Sequence, residues 1–145
     1  MLRASGVAQD IRQTGYAAYG ELHFEPVVET EGDCFARSKV RFRETLNSID
    51  LIRRVINRLP DGEVRAKIKG KDNPRGETVS RVEPPRGELL YYIKGNGEKT
   101  LDRVRIRTPT FANIPPLLTM LPGLYLSDVP VVTLSIDPCI SCTER

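Results

Sequence analysis

Two cysteines near the end of the chain, Cys139 and Cys142, have the residue type and spacing of metal ligands. Thiolates prefer soft or borderline metals such as zinc, nickel and the iron of iron–sulfur clusters, and a Cys-x-x-Cys turn can bring both sulfurs to one centre. The pair directly follows an apolar run over residues 129–136, which we expect to form a strand. Two sulfurs rarely complete a metal site, so we expect the remaining ligands to come from elsewhere.

Other soft donors are scarce in this sequence. The third thiol, Cys34, and the single histidine, His23, each lack a second donor at the spacing of a metal site. For Cys34 we expect the behaviour of a small buried apolar residue, and for His23 a position in the core or on the surface. The sequence therefore predicts half of a metal site.

Three other roles for the terminal cysteine pair make different demands on the sequence. A secreted disulfide scaffold is disfavoured because three cysteines is an odd, sparse count and no signal-like segment precedes them. A thioredoxin-like redox pair would lie at the start of a helix after a first strand, not near the terminus. Half of a zinc ribbon stays open.

The composition limits the size of the core and the kinds of partner that this chain can bind. With 145 residues and 39% apolar content, the chain can bury one modest core, and no apolar run in it is long enough to span a membrane. The net charge of +3 comes from interspersed charges of both signs. Much of the positive excess falls on one helical segment that lacks aromatic residues for base stacking, so the sequence disfavours nucleic-acid binding.

Periodicity predicts an α+β fold with long amphipathic helices and a small antiparallel sheet. Apolar residues at a period of 3.6 predict a long helix over residues 35–59. Further helices are expected over residues 7–22 and 112–121. Short β-rich runs predict strands over residues 64–69, 78–82, 89–94 and 101–107, with an exposed loop over residues 71–77 and a hairpin turn at the Asn-Gly pair of residues 96–97.

One arginine occupies an unusually constrained loop. Arg86 stands between two prolines and a glycine, after one predicted strand and before the next. Proline fixes the local backbone, so this loop can hold the guanidinium in a cavity as a preorganised cation. An ordinary turn residue is the competing interpretation, and the residues alone leave both open.

Five motifs follow one another along the chain. They are Met-Leu-Arg-Ala-Ser-Gly-Val at residues 1–7 with Asp10 and Arg12, Gly32-Asp33 with Ala36-Arg37 and residues 41–44, Glu-Pro-Pro-Arg-Gly-Glu at 83–88, Arg-Thr-Pro-Thr-Phe-Ala-Asn at 107–113, and residues 137–145. In this order they resemble the C-terminal portion of the large, catalytic subunit of [NiFe] hydrogenases. The resemblance is greatest for the membrane-bound, energy-converting group related to respiratory complex I, and it covers essentially the whole chain. The quinone-reducing relatives of this group lack the two cysteines.

The resemblance assigns roles to seven residues. It implies that Cys139 is a terminal nickel ligand and a base for the proton, and that Cys142 bridges nickel and iron. Arg86 is implied to lie over the open coordination position, with Asp137 beside it as a further catalytic residue. The surrounding residues implied are Pro85, Thr108 and Thr110, and either Thr108 or Thr110 offers a hydroxyl group to a cyanide ligand.

The resemblance also implies cofactors and partners. The centre is a Ni-Fe site with carbon monoxide and cyanide on iron, coupled to iron–sulfur clusters in partner subunits. The N-terminal Arg-x-Cys-Gly-x-Cys motif that supplies two further thiolates is missing, so residues 1–145 are expected to form one undivided C-terminal portion that needs the N-terminal part of the large subunit. Further expected partners are a small iron–sulfur subunit, ferredoxin and membrane ion-pumping subunits.

The implied activity is H₂ production or oxidation, peripheral on the cytoplasmic side of the cell membrane and coupled to ion pumping. Splitting H₂ needs a Lewis-acidic metal and a nearby base in a dry cavity. Two other functions stay open. One is a related membrane-bound oxidoreductase acting on a quinone or a sulfur substrate, and the other is a zinc-binding structural module.

Overall fold

The computed structural model describes residues 1–65 and 73–144, and it confirms the α+β class. Helices precede and follow the sheet in chain order. They are α1 (Tyr19–Leu22), α2 (Cys34–Ile56), α3 (Pro109–Met120), α4 (Val129–Ser135) and α5 (Ile140–Thr143), and the strands are β1 (Arg75–Val82), β2 (Leu89–Asn96) and β3 (Leu101–Arg107). The strand expected over residues 64–69 lies largely outside the described residues.

The helix predicted over residues 7–22 is wrong. A short 3₁₀ turn, Ile11–Thr14, and the one-turn helix α1 replace it. The 3₁₀ turn ends at Gly15, whose backbone is left-handed at φ 76°. A left-handed residue terminates a helix, so the predicted helix could not extend through this glycine. A further 3₁₀ turn, Leu2–Ser5, precedes the segment and ends at Gly6, φ 86°.

Helix α2 is the long helix that the periodicity predicted, with 23 residues. The Asp33 carboxylate accepts a hydrogen bond from the Ala36 amide at 2.7 Å and caps its first turn. One side of the helix buries Ala36 and Val40 against Ala4 of the N-terminal segment, with Val27 beside them. The small core therefore lies between α2 and the chain's first residues.

The sheet has the order β1-β2-β3 and is antiparallel throughout. It begins earlier than predicted, since residues 75–77 belong to β1 instead of the expected loop, whose first residues are among those not described. The β2–β3 hairpin is confirmed. Asn96 still belongs to β2, however, and the ladder shifts register between Lys94 and Gly95, which moves the turn to residues 97–100.

The last quarter of the described chain contains the helices α3, α4 and α5. Helix α3 begins three residues before its predicted start, because Thr108 caps it and Pro109 fits the first turn, where the missing N–H is not needed. The strand expected over residues 129–136 is wrong, since residues 129–135 form helix α4. Asp128 precedes this helix and Pro130 lies in its first turn, so the local start signals outweigh the β-propensity of the valines.

Helix α2 also carries an apolar stripe that the described residues leave uncovered. Its members are spaced by three, four or seven positions and lie opposite the buried side: Phe35, Phe42, Leu46, Ile49, Ile52 and Ile56. Phe42 is 75% exposed and Leu46 is 67% exposed. Within residues 1–65 and 73–144, no helix has the length and apolar character needed to cross a bilayer.

Candidate metal centre

The structure brings Cys139 and Cys142 together. Pro138 and Cys139 lead into the one-turn helix α5, whose first turn closes when the Cys142 amide donates to the Cys139 carbonyl at 3.1 Å. Both thiols are free and half-buried. The Cys139 pKa is lowered to about 7, first by the Ser141 hydroxyl, 3.2 Å from its sulfur, then by hydrogen bonds from the amide and thiol of Cys142.

The hydrogen bond between the two thiols shifts their pKa values in opposite directions. The pKa of Cys142 is raised, chiefly because its thiol donates a hydrogen bond to Cys139. Cys139 is thus the thiol that loses its proton first, and the thiolate is the form that binds metals. The charge of Arg86 acts in the same direction on both thiols and favours their ionised forms.

Two buried threonines at the start of α3 hold residues 139–142, which we call the cysteine turn. The Thr108 hydroxyl donates to the Cys142 carbonyl, and the Thr110 hydroxyl accepts a hydrogen bond from the Cys139 amide at 3.2 Å. Both threonines are at most 2% exposed. Their hydroxyl groups therefore fix the backbone of the turn at both cysteines, while the expected contact to a cyanide ligand stays a prediction.

Arg86 reaches from the β1–β2 loop to the residue two positions before Cys139. Its Nε donates to the Asp137 carbonyl at 2.8 Å and lies 3.1 Å from Asp137 Oδ2. The loop is closed by the Gly87 amide donating to the Pro84 carbonyl at 3.0 Å, and Asn113 of α3 donates to the Arg86 carbonyl at 3.3 Å. Asp137 itself adopts a left-handed backbone, φ 55°, which is uncommon for a residue other than glycine.

Sequence reasoning missed Arg41, which joins this group from α2. Its Nε lies 4.0 Å from Asp137 Oδ2, so two arginines share one carboxylate. The Arg41 pKa is lowered, first by burial and then by the charges of Arg86 and Arg37, although Asp137 opposes this. The sequence could have pointed to Arg41, because Arg37 and Arg41 are four positions apart and so lie on one face of the predicted helix.

A cavity of about 300 Å³ lies between the Arg86 loop, α2, α3 and the N-terminal segment, and Cys139, Cys142 and Asp137 are not among the residues that line it. Pro85 and Arg86 of the loop line it together with Arg41 and Glu44 of α2, and Asn113 of α3. Pro85 therefore lines the cavity beside Arg86, while its expected place around a metal centre stays a prediction.

A buried ion network forms part of the same cavity wall, since Arg3, Glu44 and Glu83 line the cavity. Arg3 contacts Glu83 at 2.8 Å and Glu44 at 2.7 Å, while Arg12 pairs with Asp10 at 2.6 Å. Glu83 also accepts from the Ile11 amide at 3.1 Å. The network therefore ties the N-terminal segment to α2 and to the end of β1, just before the Arg86 loop.

The donor set fits half of a thiolate metal site. Two adjacent thiols, one with a lowered pKa, lie near the guanidinium of Arg86, which favours bound anionic ligands. In the part of the chain that the structure describes, no group of three or more histidine, cysteine or acidic side chains converges on one point. A four-thiolate centre would accordingly need two ligands from another polypeptide segment.

Curated relatives cover nearly all of this chain. It is 46% identical over 144 residues to the carbon monoxide-induced hydrogenase of Rhodospirillum rubrum, a match that spans 99% of this chain and 40% of that protein. It is 38% identical to an NADH-quinone oxidoreductase subunit of Herpetosiphon aurantiacus, over 100% of this chain and 41% of that protein. The alpha subunit of the membrane-bound hydrogenase of Pyrococcus furiosus is 34% identical, over 99% of this chain and 37% of its own length.

A solved structure shares the fold. A chain of the membrane-bound sulfane sulfur reductase, an archaeal respiratory membrane complex, matches with a TM-score of 0.89 at 34% identity, over 99% of this chain and 41% of that chain. This chain therefore spans about 40% of the length of the relatives that it matches.

The family model described as respiratory-chain NADH dehydrogenase, 49 kDa subunit, matches residues 1–70 and 66–145. These matches confirm the predicted relation to complex I and to membrane-bound hydrogenases. The chain belongs to the family of the 49 kDa subunit of respiratory-chain NADH dehydrogenase.

Proposed function

We propose that residues 1–145 form one undivided portion of a hydrogenase catalytic subunit and supply Cys139 and Cys142 as two of four thiolate ligands to a Ni-Fe centre. The observation that carries this proposal is that both thiols lie close enough to Arg86 for its charge to favour their ionised forms, while the Arg86 guanidinium pairs with Asp137, two positions before Cys139. The oxidoreductase family supports it, as do the hydrogenases of R. rubrum and P. furiosus among the relatives.

Each side chain has a task that follows from its contacts. When bound, a Ni-Fe centre with carbon monoxide and cyanide on iron would supply Lewis acidity and redox chemistry. Cys139, whose thiol loses its proton before that of Cys142, would bind as a thiolate and offers its sulfur as the base for a proton. Asp137 orients the guanidinium of Arg86, which presents a fixed, planar set of donors to an anionic ligand.

The rest of the catalytic machinery must come from other polypeptides in this proposal. Two thiolates would come from the N-terminal part of the large subunit. Electrons would leave through a small iron–sulfur subunit, since one chain with three cysteines cannot hold both a Ni-Fe centre and iron–sulfur clusters. We propose ferredoxin as the electron carrier and membrane ion-pumping subunits as the coupling partners, with this chain peripheral on the cytoplasmic side of the membrane.

The uncovered stripe of α2 supports the need for another polypeptide. Phe42 and Leu46 belong to a continuous apolar surface along the longest described helix, and contiguous apolar surface of this kind marks an interaction site. The relatives are more than twice the length of this chain. We propose that the stripe packs against the remainder of the large subunit.

A second candidate function is oxidoreduction of a quinone or a sulfur substrate. The 38% identity to an NADH-quinone oxidoreductase subunit and the fold match to a sulfane sulfur reductase favour it. The thiol pair favours the hydrogenase over the quinone-reducing enzyme, because the resemblance implies that quinone-reducing relatives lack these cysteines.

Metal analysis of the complex purified with its native subunits tests the proposal. Nickel together with iron, and H₂-dependent reduction of a viologen dye, are the expected results. Iron confined to iron–sulfur clusters, with no nickel, would instead identify the quinone or sulfur oxidoreductase. Zinc bound to Cys139 and Cys142 would identify the structural module.

A further inference from the structure

The strand register gathers most of the basic residues of the sheet on one face. Alternate residues of a strand point to the same side, and paired residues of neighbouring strands share it. We call this side the basic face. Its three cross-strand rows are Glu77–Lys94–Arg103, Val79–Tyr92–Arg105 and Arg81–Leu90–Arg107. Five of these nine residues are cationic and one is acidic, and all five cations are exposed.

The positive charge of the basic face is only partly neutralised. Glu88, just before β2, pairs with Arg81 at 2.7 Å and with Arg107 at 3.6 Å. Glu77 accepts a hydrogen bond from the Tyr92 hydroxyl at 2.6 Å. Within the described ranges, no ion pair involves the other three cations, Lys94, Arg103 and Arg105.

The unpaired positive charge destabilises the sheet when no partner covers it. Lys94 and Arg103 are direct cross-strand partners, and like charges directly opposite destabilise a sheet. Arg105 extends the surplus along β3, two positions from Arg103. An acidic counterpart would remove the repulsion, whereas solvent alone only screens it.

The composition of the face favours a protein counterpart over lipid headgroups. Arginine and tyrosine are enriched at protein interfaces and at their energetic centres, while lysine is depleted there. Membrane-surface binding instead uses clusters of basic residues next to a spanning or amphipathic helix. Here four of the five cations are arginines, and they surround an apolar centre of Val79, which is 57% exposed, and Tyr92.

Protection of an edge strand explains only part of this pattern. Charges that discourage strand pairing belong on the edges of a sheet. Lys94 lies on the central strand β2, where no free edge needs protection. Several relatives are named as subunits of larger enzymes, so neighbouring protein surfaces are available to that family.

We propose that the basic face docks onto an acidic surface of another subunit, with aspartate or glutamate carboxylates opposite Lys94, Arg103 and Arg105. Arginine forms paired hydrogen bonds with carboxylates, as Arg81 already does with Glu88 on this face. The inference is independent of the chemistry at Cys139 and Cys142.

Zero-length carbodiimide cross-linking of the purified native complex tests this docking. The reagent joins an amine directly to a carboxylate with no spacer, so it links only groups that are in contact. We expect an amide bond between Lys94 and an acidic residue of another subunit. Lys39, whose Nζ pairs with Glu29, is the internal positive control, and Lys99 in the β2–β3 turn is the background control.

A charge-removing variant sharpens the test. Arg103→Gln with Arg105→Gln should lower the yield of the Lys94 cross-link at least ten-fold, whereas the matched pair Arg65→Gln and Lys99→Gln should change it less than two-fold. A Lys94 that forms no inter-subunit link while Lys39–Glu29 forms would overturn the proposal. Binding of the wild-type complex, but not of the complex with the double variant, to phosphatidylglycerol vesicles without a Lys94 link would equally overturn it in favour of lipid.

Discussion

The guanidinium of Arg86 and the carboxylate of Asp137 form a direct link between the β1–β2 loop and the cysteine turn. Arg86 Nε lies 2.8 Å from the Asp137 carbonyl and 3.1 Å from Oδ2, and Nη2 lies 3.3 Å from Oδ1. Because both the backbone and the side chain of Asp137 accept from Arg86, the orientation of the guanidinium depends on the residue two positions before Cys139.

Replacing Arg86 tests the value of this planar arrangement. Arg86→Lys should preserve folding and metal content but lower H₂ turnover of the assembled enzyme by about 10²–10³-fold, because lysine presents a flexible, more strongly hydrated point charge. Turnover by viologen reduction measures the loss. The matched control is Arg65→Lys, which changes an exposed arginine outside the cavity lining and outside the basic face. Near-normal turnover of Arg86→Lys with the metal intact would leave Arg86 as an ordinary turn residue.

Replacing Arg41 should lower H₂ turnover less than replacing Arg86. Its pair with Asp137 is longer, 4.0 Å, and partly exposed, so it is worth at most about 1 kcal/mol, or roughly five-fold in rate. We expect Arg41→Gln to lower turnover by that amount and Arg41→Lys to restore most of it. An effect of Arg41→Gln as large as that of Arg86→Lys would show that Arg41 acts directly and not through Asp137.

Thr110 is predicted to stabilise the cysteine turn. Thr110→Val removes the acceptor of the Cys139 amide in a buried position, at a cost of about 1–3 kcal/mol. Amide hydrogen exchange over residues 137–144 should accelerate accordingly. Thr119→Val, which removes an exposed hydroxyl on the same helix, is the control. Unchanged exchange in this segment would mean that Thr110 does not hold the turn.

The α2 stripe is predicted to make the isolated chain self-associate. Residues 1–145 alone should elute as soluble aggregates in size-exclusion chromatography, because the stripe is exposed along the whole helix. Leu46→Gln with Ile49→Gln should reduce the aggregated fraction several-fold. A monodisperse wild-type monomer that unfolds cooperatively would refute the requirement for another polypeptide on this face.

Periodicity was sufficient for the elements with simple geometry. The long helix and the β2–β3 hairpin were predicted from spacing and from the Asn-Gly pair. The helix predicted over residues 7–22 was wrong, because Gly15 interrupts an apolar spacing that otherwise suits a helix. The strand predicted over residues 129–136 was also wrong. Its β-branched residues are typical of a strand, but Pro130 and the preceding Asp128 mark the start of a helix.

The candidate site was only partly visible in the sequence. The Cys-x-x-Cys spacing was sufficient to predict that Cys139 and Cys142 lie close together, and the prolines before Arg86 indicated a rigid loop around it. The contact between Arg86 and Asp137 joins residues 51 positions apart, and that of Thr110 with Cys139 joins residues 29 positions apart. Such long-range contacts depend on how the helices and the sheet pack, which local patterns do not encode.

Binding of nickel by Cys139 and Cys142 is tested most directly by nickel K-edge X-ray absorption on the purified native complex, compared with Cys139→Ser and Cys142→Ser variants. We predict nickel in a sulfur-rich environment in the wild type, and loss of nickel from both variants while the Thr108 and Thr110 contacts keep the chain folded. Nickel retained with an unchanged sulfur environment in either variant, or a wild-type complex without nickel, would contradict a Ni-Fe centre at these two thiols.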